Sequence, residues 1–324
     1  MFIKLSDTES IRLTGRWSRN DDIAVTTACG SYFEAGFTGE YALLHFGIAD
    51  NMNPYPHLWI SVDGSPRIEA PVDRFLRVTA KGEGPHVVTV IYKSANENQH
   101  RWYAPLVGKI AFEGFDADAP APLPADTRPV IEFVGDSITE GILIDPKQHY
   151  VDADHGFHDR TLQDDVTAGY AWLTAEKLNM RPILMGYGAV GCTHAGSGSV
   201  PRAADSYPYC YNGAPIPDQK RDWIVINHGA NDRRNPDAYL PCYEELLDVV
   251  RRMHPEARVV VLSPFTGYAD ERLSAFVPDY NARRGADVKL ILTGGWIAPE
   301  PLHPLRDGHR TVAAHLAAEL AKLA

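Results

Sequence analysis

The chain has 324 residues, 44% of them hydrophobic, and a formal net charge of -11 from 42 acidic and 31 basic side chains. That length supplies a sizeable core and suggests two domains. The acidic balance, with no block rich in lysine and arginine, disfavours nucleic acid as a partner and makes a strongly anionic polymer such as unesterified pectin less attractive.

From the N-terminus, short apolar segments recur between turn signals: Tyr32 to Phe37, Tyr41 to Phe46, Leu58 to Val62 and His86 to Tyr92. Val62-Asp63-Gly64-Ser65-Pro66 supplies a tight turn, and no helix-period segment of comparable strength interrupts residues 1–115. A β-sandwich is the expectation for this part. Residues 116–128 follow as a proline- and alanine-rich tract without hydrophobic periodicity, which reads as an extended, semi-rigid linker. Beyond it, in residues 129–324, apolar strands alternate with helical patterns. Helices are expected near 168–179, 239–253, 270–284 and 311–323, and strands near 182–186, 222–227, 258–263 and 288–292. That alternation predicts an α/β fold: a parallel sheet with helices on both faces.

Four blocks of this second part carry chemistry. Val130 to Val134 is an apolar run leading into Gly135-Asp136-Ser137, which presents a hydroxyl just beyond the carboxyl end of a buried strand. A serine hydroxyl needs a base and donors for the oxyanion that forms on attack. Gly186-Tyr187-Gly188-Ala189-Val190-Gly191 follows the next apolar run, and Gly191 or Gly188 would let a backbone N–H approach a substrate oxygen. Asn231, in His228-Gly229-Ala230-Asn231-Asp232, offers a side-chain amide, and Glu300-Pro301-Leu302-His303 sets an acid three residues before an imidazole. Each block also has a plain structural alternative. Gly-Asp-Ser is a good turn and helix cap, Gly191 a tight turn, and Asn231 a cap for the helix that begins near Pro236. His309 is a rival base that more simply belongs to the first turn of the last helix, and His194 and His228 flank the middle blocks.

Taken in order, the four blocks resemble those of the SGNH or GDSL hydrolases over roughly residues 128–324. The resemblance implies Ser137 as nucleophile, His303 as base, and an oxyanion hole from Ser137, Gly191 and Asn231. The family's last motif is usually Asp-x-x-His; here the acid is Glu300, whose extra methylene changes its reach, and some relatives work with a serine–histidine dyad. A β-domain ahead of such a hydrolase, with Gly15-Arg16-Trp17, Gly30-Ser31-Tyr32-Phe33-Glu34 and Val62-Asp63-Gly64, is similar to carbohydrate esterase family two. That resemblance implies an N-terminal jelly roll joined to a three-layer α/β/α hydrolase domain. It also implies removal of acetyl groups from plant polysaccharide or oligosaccharide through an acyl-enzyme, without metal or organic cofactor. A general GDSL esterase or lipase on small acyl esters, and an inactive carbohydrate-binding protein, are the alternatives.

Trp296, Tyr187 and Tyr209 are the candidate sugar platforms, with Tyr207 and Tyr211 nearby, because an aromatic face buries the apolar side of a pyranose. The segment His149 to Asp159 holds ligand-type residues but matches no metal spacing and reads as a solvated acidic loop. Cys29, Cys192, Cys210 and Cys242 form no Cys-x-x-Cys pair, so free thiols are expected, with a Cys192–Cys210 bridge left open. No run approaches a membrane span, and Met1 to Asp7 lacks the apolar core of a signal peptide. Cytoplasmic residence is the default, although a secreted form trimmed of its leader would read the same way.

Overall fold

Residues 1–145, 151–152, 157–158 and 160–323 are described by a computed structural model. Most of the His149 to Asp159 loop therefore lies outside the described residues. The N-terminal part holds two six-stranded antiparallel sheets. One is built on Tyr32–Thr38, His86–Ser94 and His57–Val62, the other on Ile110–Asp116 flanked by Tyr41–Phe46 and Ala24–Thr26. Alternation does the work here: along Tyr41–Phe46 the side chains of Ala42, Leu44 and Phe46 are buried while Tyr41, Leu43 and His45 are not. Phe33, Phe46 and Phe112 meet between the sheets, with Phe33 stacked on Phe112 at 3.9 Å.

The tract expected to be a linker departs from that reading. Asp116 ends the strand Ile110–Asp116, and Ala119–Pro120 pairs with Thr38 and Phe37 at the edge of a sheet. Leu123 N–H donates to the Glu9 carbonyl and Arg12 reaches the Pro124 carbonyl at 2.9 Å. Proline keeps the tract extended as expected, but several of its backbone groups find partners on the sandwich, and an edge position tolerates the missing N–H of Pro120.

Residues from 130 onward form a five-stranded parallel sheet in the order Arg181–Gly186, Val130–Gly135, Trp223–Asn227, Arg258–Leu262, Lys289–Ile291. Both faces are covered. Phe133, Leu184, Val225 and Val260 share one apolar cluster with Tyr170–Lys177, Arg306–Leu323 and the sandwich core. Val134, Ile224, Ile226, Val259 and Val261 share the other with Pro236–Met253 and Asp270–Arg284. The near-continuous apolar strands follow from this two-sided burial. After Val130–Gly135 the chain first pairs to one side and then returns to the other, so the strand order reverses around this strand. In open α/β sheets such a reversal opens a crevice at the strands' carboxyl ends.

The two parts share an apolar core and are tied by buried ion pairs. Arg16 of the sandwich pairs with Glu132 of the first parallel strand at 2.8 Å, both side chains being fully buried. Arg221 and the Tyr207 hydroxyl complete the shell around Glu132 and hold its carboxyl down near pH 2 against the cost of burial. Lys93 and Ser94 donate to the Thr161 carbonyl, and Trp59 Nε1 donates to Asp165 at 3.0 Å. All four cysteines are free thiols. No helix among the described residues is long and apolar enough to cross a membrane.

Candidate active site

Ser137 opens the four-residue helix Ser137–Glu140 directly beyond the strand Val130–Gly135. Asp136 caps that helix, its Oδ1 accepting from Ile138 N–H at 3.0 Å. The cap that Gly-Asp-Ser offered in the sequence is thus the aspartate, which leaves Ser137 as the first helical residue. Glu140 instead faces inward, where Oε2 accepts from Gly188 N–H at 2.8 Å and Oε1 meets Arg101 of the sandwich. At Gly135 a Cβ would stand 2.1 Å from Thr139 Oγ1 and 2.9 Å from the Asn227 carbonyl, so no side chain fits beneath the helix.

His303, from the loop before the last helix, places Nε2 2.9 Å from Ser137 Oγ. With the imidazole proton on Nδ1, the hydroxyl donates to Nε2, the arrangement for proton removal as the oxygen attacks. Burial lowers the His303 pKa below its ordinary value; the field of Glu97 opposes that shift and Arg160 reinforces it. The ring is therefore neutral, and able to accept a proton, near neutrality.

Glu300, the expected orienting acid, is exposed, and no carboxylate of the described residues makes an ion pair with His303. An exposed Glu300 with no bond to the ring among the described residues leaves its orienting role without support in the geometry. Glu97, from the sandwich loop after His86–Ser94, is the carboxylate whose charge opposes the burial-driven fall of the His303 pKa. Its Oε1 accepts from Arg160 at 2.9 Å and its Oε2 from Ser197 Oγ at 3.3 Å. A Cβ on Gly188 would lie 2.1 Å from Glu97 Oε2, so the sandwich loop and the Gly188 loop are in direct contact. Nothing in the local sequence marks Glu97, because it lies in a polar loop far from the four motifs.

The oxyanion candidates converge on the same end of the sheet. Ser137 N–H, at the first position of its helix, has no intrahelical acceptor. Gly191 N–H donates to the His194 carbonyl at 3.2 Å, and a Cβ there would stand 2.7 Å from Asp232 Oδ1. Gly188, the competing donor, is committed to Glu140. Asn231 Nδ2 donates to Asp136 Oδ2 and to the Val190 carbonyl, both at 3.1 Å, which joins the third block to the first and second. Burial, with the nearby Asp232 charge adding to it, raises the Asp136 pKa to about 7. Asp232 is itself buried and accepts from the N–H groups of Cys192 and Thr193, fixing the loop that carries Gly191.

This serine–histidine contact, in a chain whose residues 133–323 match the model of the GDSL-like lipase/acylhydrolase family, decides the assignment. The chain belongs to the GDSL-like lipase/acylhydrolase family. Membership makes it a carboxylic ester hydrolase of the SGNH type. No curated protein matches the chain. Among solved structures it is similar to a family two carbohydrate esterase from Cellvibrio japonicus, with 20% identity over 99% of this chain and 97% of that one and a TM-score of 0.79. An acetyl xylan esterase from the rumen bacterium Butyrivibrio proteoclasticus gives 18% identity, 99% and 98% coverage and a TM-score of 0.78. A family two carbohydrate esterase from Clostridium thermocellum, in complex with cellohexaose, gives 23%, 96%, 98% and 0.74. At these identities the likeness is one of fold, and it spans both the sandwich and the hydrolase.

For this esterase the remaining sequence candidates separate. His309 is fully buried, and its Nδ1 accepts from Tyr170 N–H at 3.0 Å. Burial, with His303 and Arg306 nearby, takes its pKa down to about 3. It is the acceptor for the start of a neighbouring helix, and among the described residues it makes no bond to Ser137. His228 is buried and held neutral, its pKa lowered by burial to about 4. Tyr187, expected as a sugar platform, is 1% exposed. Its hydroxyl bonds with Thr27 Oγ1 at 3.1 Å and its ring meets Trp102 edge-on, so it packs between sandwich and hydrolase and offers no face to a ligand. Tyr207 is likewise buried against Arg16. Tyr209 is partly exposed, but its contact is a backbone one, its carbonyl accepting from Arg16. Trp296 stacks on His315 of the last helix at 5.2 Å and remains half-buried.

Proposed function

We propose that this protein is a serine esterase that removes acetyl groups from acetylated carbohydrate through an acyl-enzyme. The 2.9 Å contact between His303 Nε2 and Ser137 Oγ, at the crevice of the parallel sheet, is the observation that carries the reading. His303 takes the Ser137 proton as Oγ bonds to the ester carbonyl carbon. The carbonyl oxygen, now negative, is held by the Ser137 N–H and by the Gly191 N–H and the Asn231 amide, the last two exchanging their resting bonds for the stronger charged acceptor. Collapse breaks the bond to the sugar oxygen, which leaves with the proton from His303. Water then gives a proton to the same imidazole, attacks the acetyl-serine and releases acetate with the serine restored.

Glu97 supports the imidazolium that forms in each half-reaction, because an opposite charge stabilises the protonated ring. Trp296, half-buried in the loop ahead of His303 and stacked on His315 by one face, is the aromatic candidate for a sugar contact through its other face. The shared fold with carbohydrate esterases that act on acetylated xylan or bind cellohexaose favours a sugar ester over a lipid ester. The test is acetate release from acetylated xylo-oligosaccharides, compared with longer-chain acyl esters and with the Ser137→Ala variant as control. Faster turnover of the long-chain esters would overturn the carbohydrate reading.

A further inference from the structure

A groove lined by His194, Ala230, Asn231, Arg233, Arg234 and Asn235 opens beside Asn231. Asn231 is bonded to Asp136, whose next residue is Ser137, so the groove adjoins the reacting centre. Its charge runs against that of the whole chain, which is -11. Arg233 and Arg234 are both exposed, and among the described residues neither is in an ion pair. Among the described residues Arg233 bonds from Nε to the Ala230 carbonyl at 2.9 Å, while its terminal nitrogens make no bond, which leaves them for a ligand. The doublet Arg283 and Arg284, equally exposed, is instead paired with Glu244, Asp279 and Asp248. No carboxylate of the described residues lines the groove. Two buried carboxylates touch its lining residues from behind: Asp232, which accepts from Cys192 and Thr193 and lies 4.0 Å from His194 Nδ1, and Asp136, which accepts from Asn231.

Resting on the esterase reading above, we infer that this groove is a subsite for an acidic sugar, its carboxylate held by Arg233 and Arg234 beside the acetylated unit. Guanidinium forks suit carboxylates because two N–H groups match two oxygens. A neutral sugar would have no use for two unpaired cations, whereas a uronosyl unit is ionised at neutral pH. The global charge that disfavours an anionic polymer is thus locally reversed where the substrate sits.

The test is calorimetric binding of two unacetylated ligands, a neutral xylo-oligosaccharide and the same backbone bearing a glucuronic acid branch. The wild-type protein should bind the acidic ligand about fivefold or more tightly, the scale of one well-made partly exposed ion pair. The Arg233→Gln/Arg234→Gln double variant and high salt should erase the difference, and Arg234→Gln alone, which keeps the Arg233–Ala230 bond, should reduce it. Equal affinity for the two ligands, no binding of either, or a preference that survives in the double variant would overturn the inference. Acetate release from a neutral acetylated oligosaccharide separates the two readings. Release without acidic preference removes only the subsite; acidic preference without release leaves the subsite and removes the esterase reading.

Discussion

Arg101 of the β-sandwich forms a buried ion pair with Glu140, which closes the helix that Ser137 opens. The sandwich thereby reaches the nucleophile's own turn, and the same carboxylate fixes the Gly188 loop beside it.

Removing the cation should cost far more than a surface pair. Arg101→Ala leaves Glu140 buried without its partner and is expected to lose about 3–5 kcal/mol of stability, measured by urea denaturation. The double change Arg101→Met/Glu140→Gln should recover part of that loss. A fragment of residues 129–324 alone, with both Glu132 and Glu140 stripped of their sandwich arginines, should not give a cooperative unfolding transition.

Ser137→Ala and His303→Ala should each reduce acetate release by about 10⁴-fold or more, with near wild-type melting temperatures. A serine-directed phosphonate should label the wild type and not Ser137→Ala. Labelling of the alanine variant at another serine would displace Ser137 from its proposed role.

Asn231→Ala should lower kcat by about 10²–10³-fold, the loss typical of one oxyanion donor. KM should change much less, because the amide strengthens its bond only when the charge develops.

The pH profile separates the two carboxylates. Burial lowers the His303 pKa below 6.5, so the acid limb of kcat/KM should have its midpoint below that value. Glu97 raises the pKa, so Glu97→Gln should move the midpoint further toward acid as well as slow the reaction. Glu300→Gln should leave the midpoint in place and cost less than about tenfold in rate. A shift with Glu300→Gln and none with Glu97→Gln would reverse the assignment.

His309, with a folded pKa of about 3 against an ordinary 6.5, binds fewer protons folded than unfolded between those values. Stability from this group is present above pH 6.5 and is lost as pH falls toward 3. His309→Asn keeps an acceptor for Tyr170 N–H but cannot titrate. Its melting temperature should therefore fall less steeply with acidification than the wild type's, as read by calorimetry across pH.

Much was legible in the chain itself because it is local. Val130 to Gly135, Trp223 to Asn227 and the other parallel strands announce themselves as largely apolar runs, since burial on both faces leaves no room for polar alternation and admits Glu132 only with buried arginine partners. The glycine and asparagine turns that follow them are equally local, so the order of the four blocks, the α/β fold of the second part and its family could be read before any coordinates. The sandwich strands Tyr32–Thr38 and His86–Ser94 were visible for the same reason, through alternation and turn signals. What the tertiary structure alone decided is contact between residues distant in the chain. It set Glu97 rather than Glu300 in the field of His303, buried Tyr187 between two sheets, pinned Ala119–Pro120 to Tyr32–Thr38 and left Arg233 and Arg234 unpaired at the groove. None of these follows from spacing, because the energy of a charge or an aromatic ring depends on what packs against it, and that is fixed only when the sandwich closes on the hydrolase.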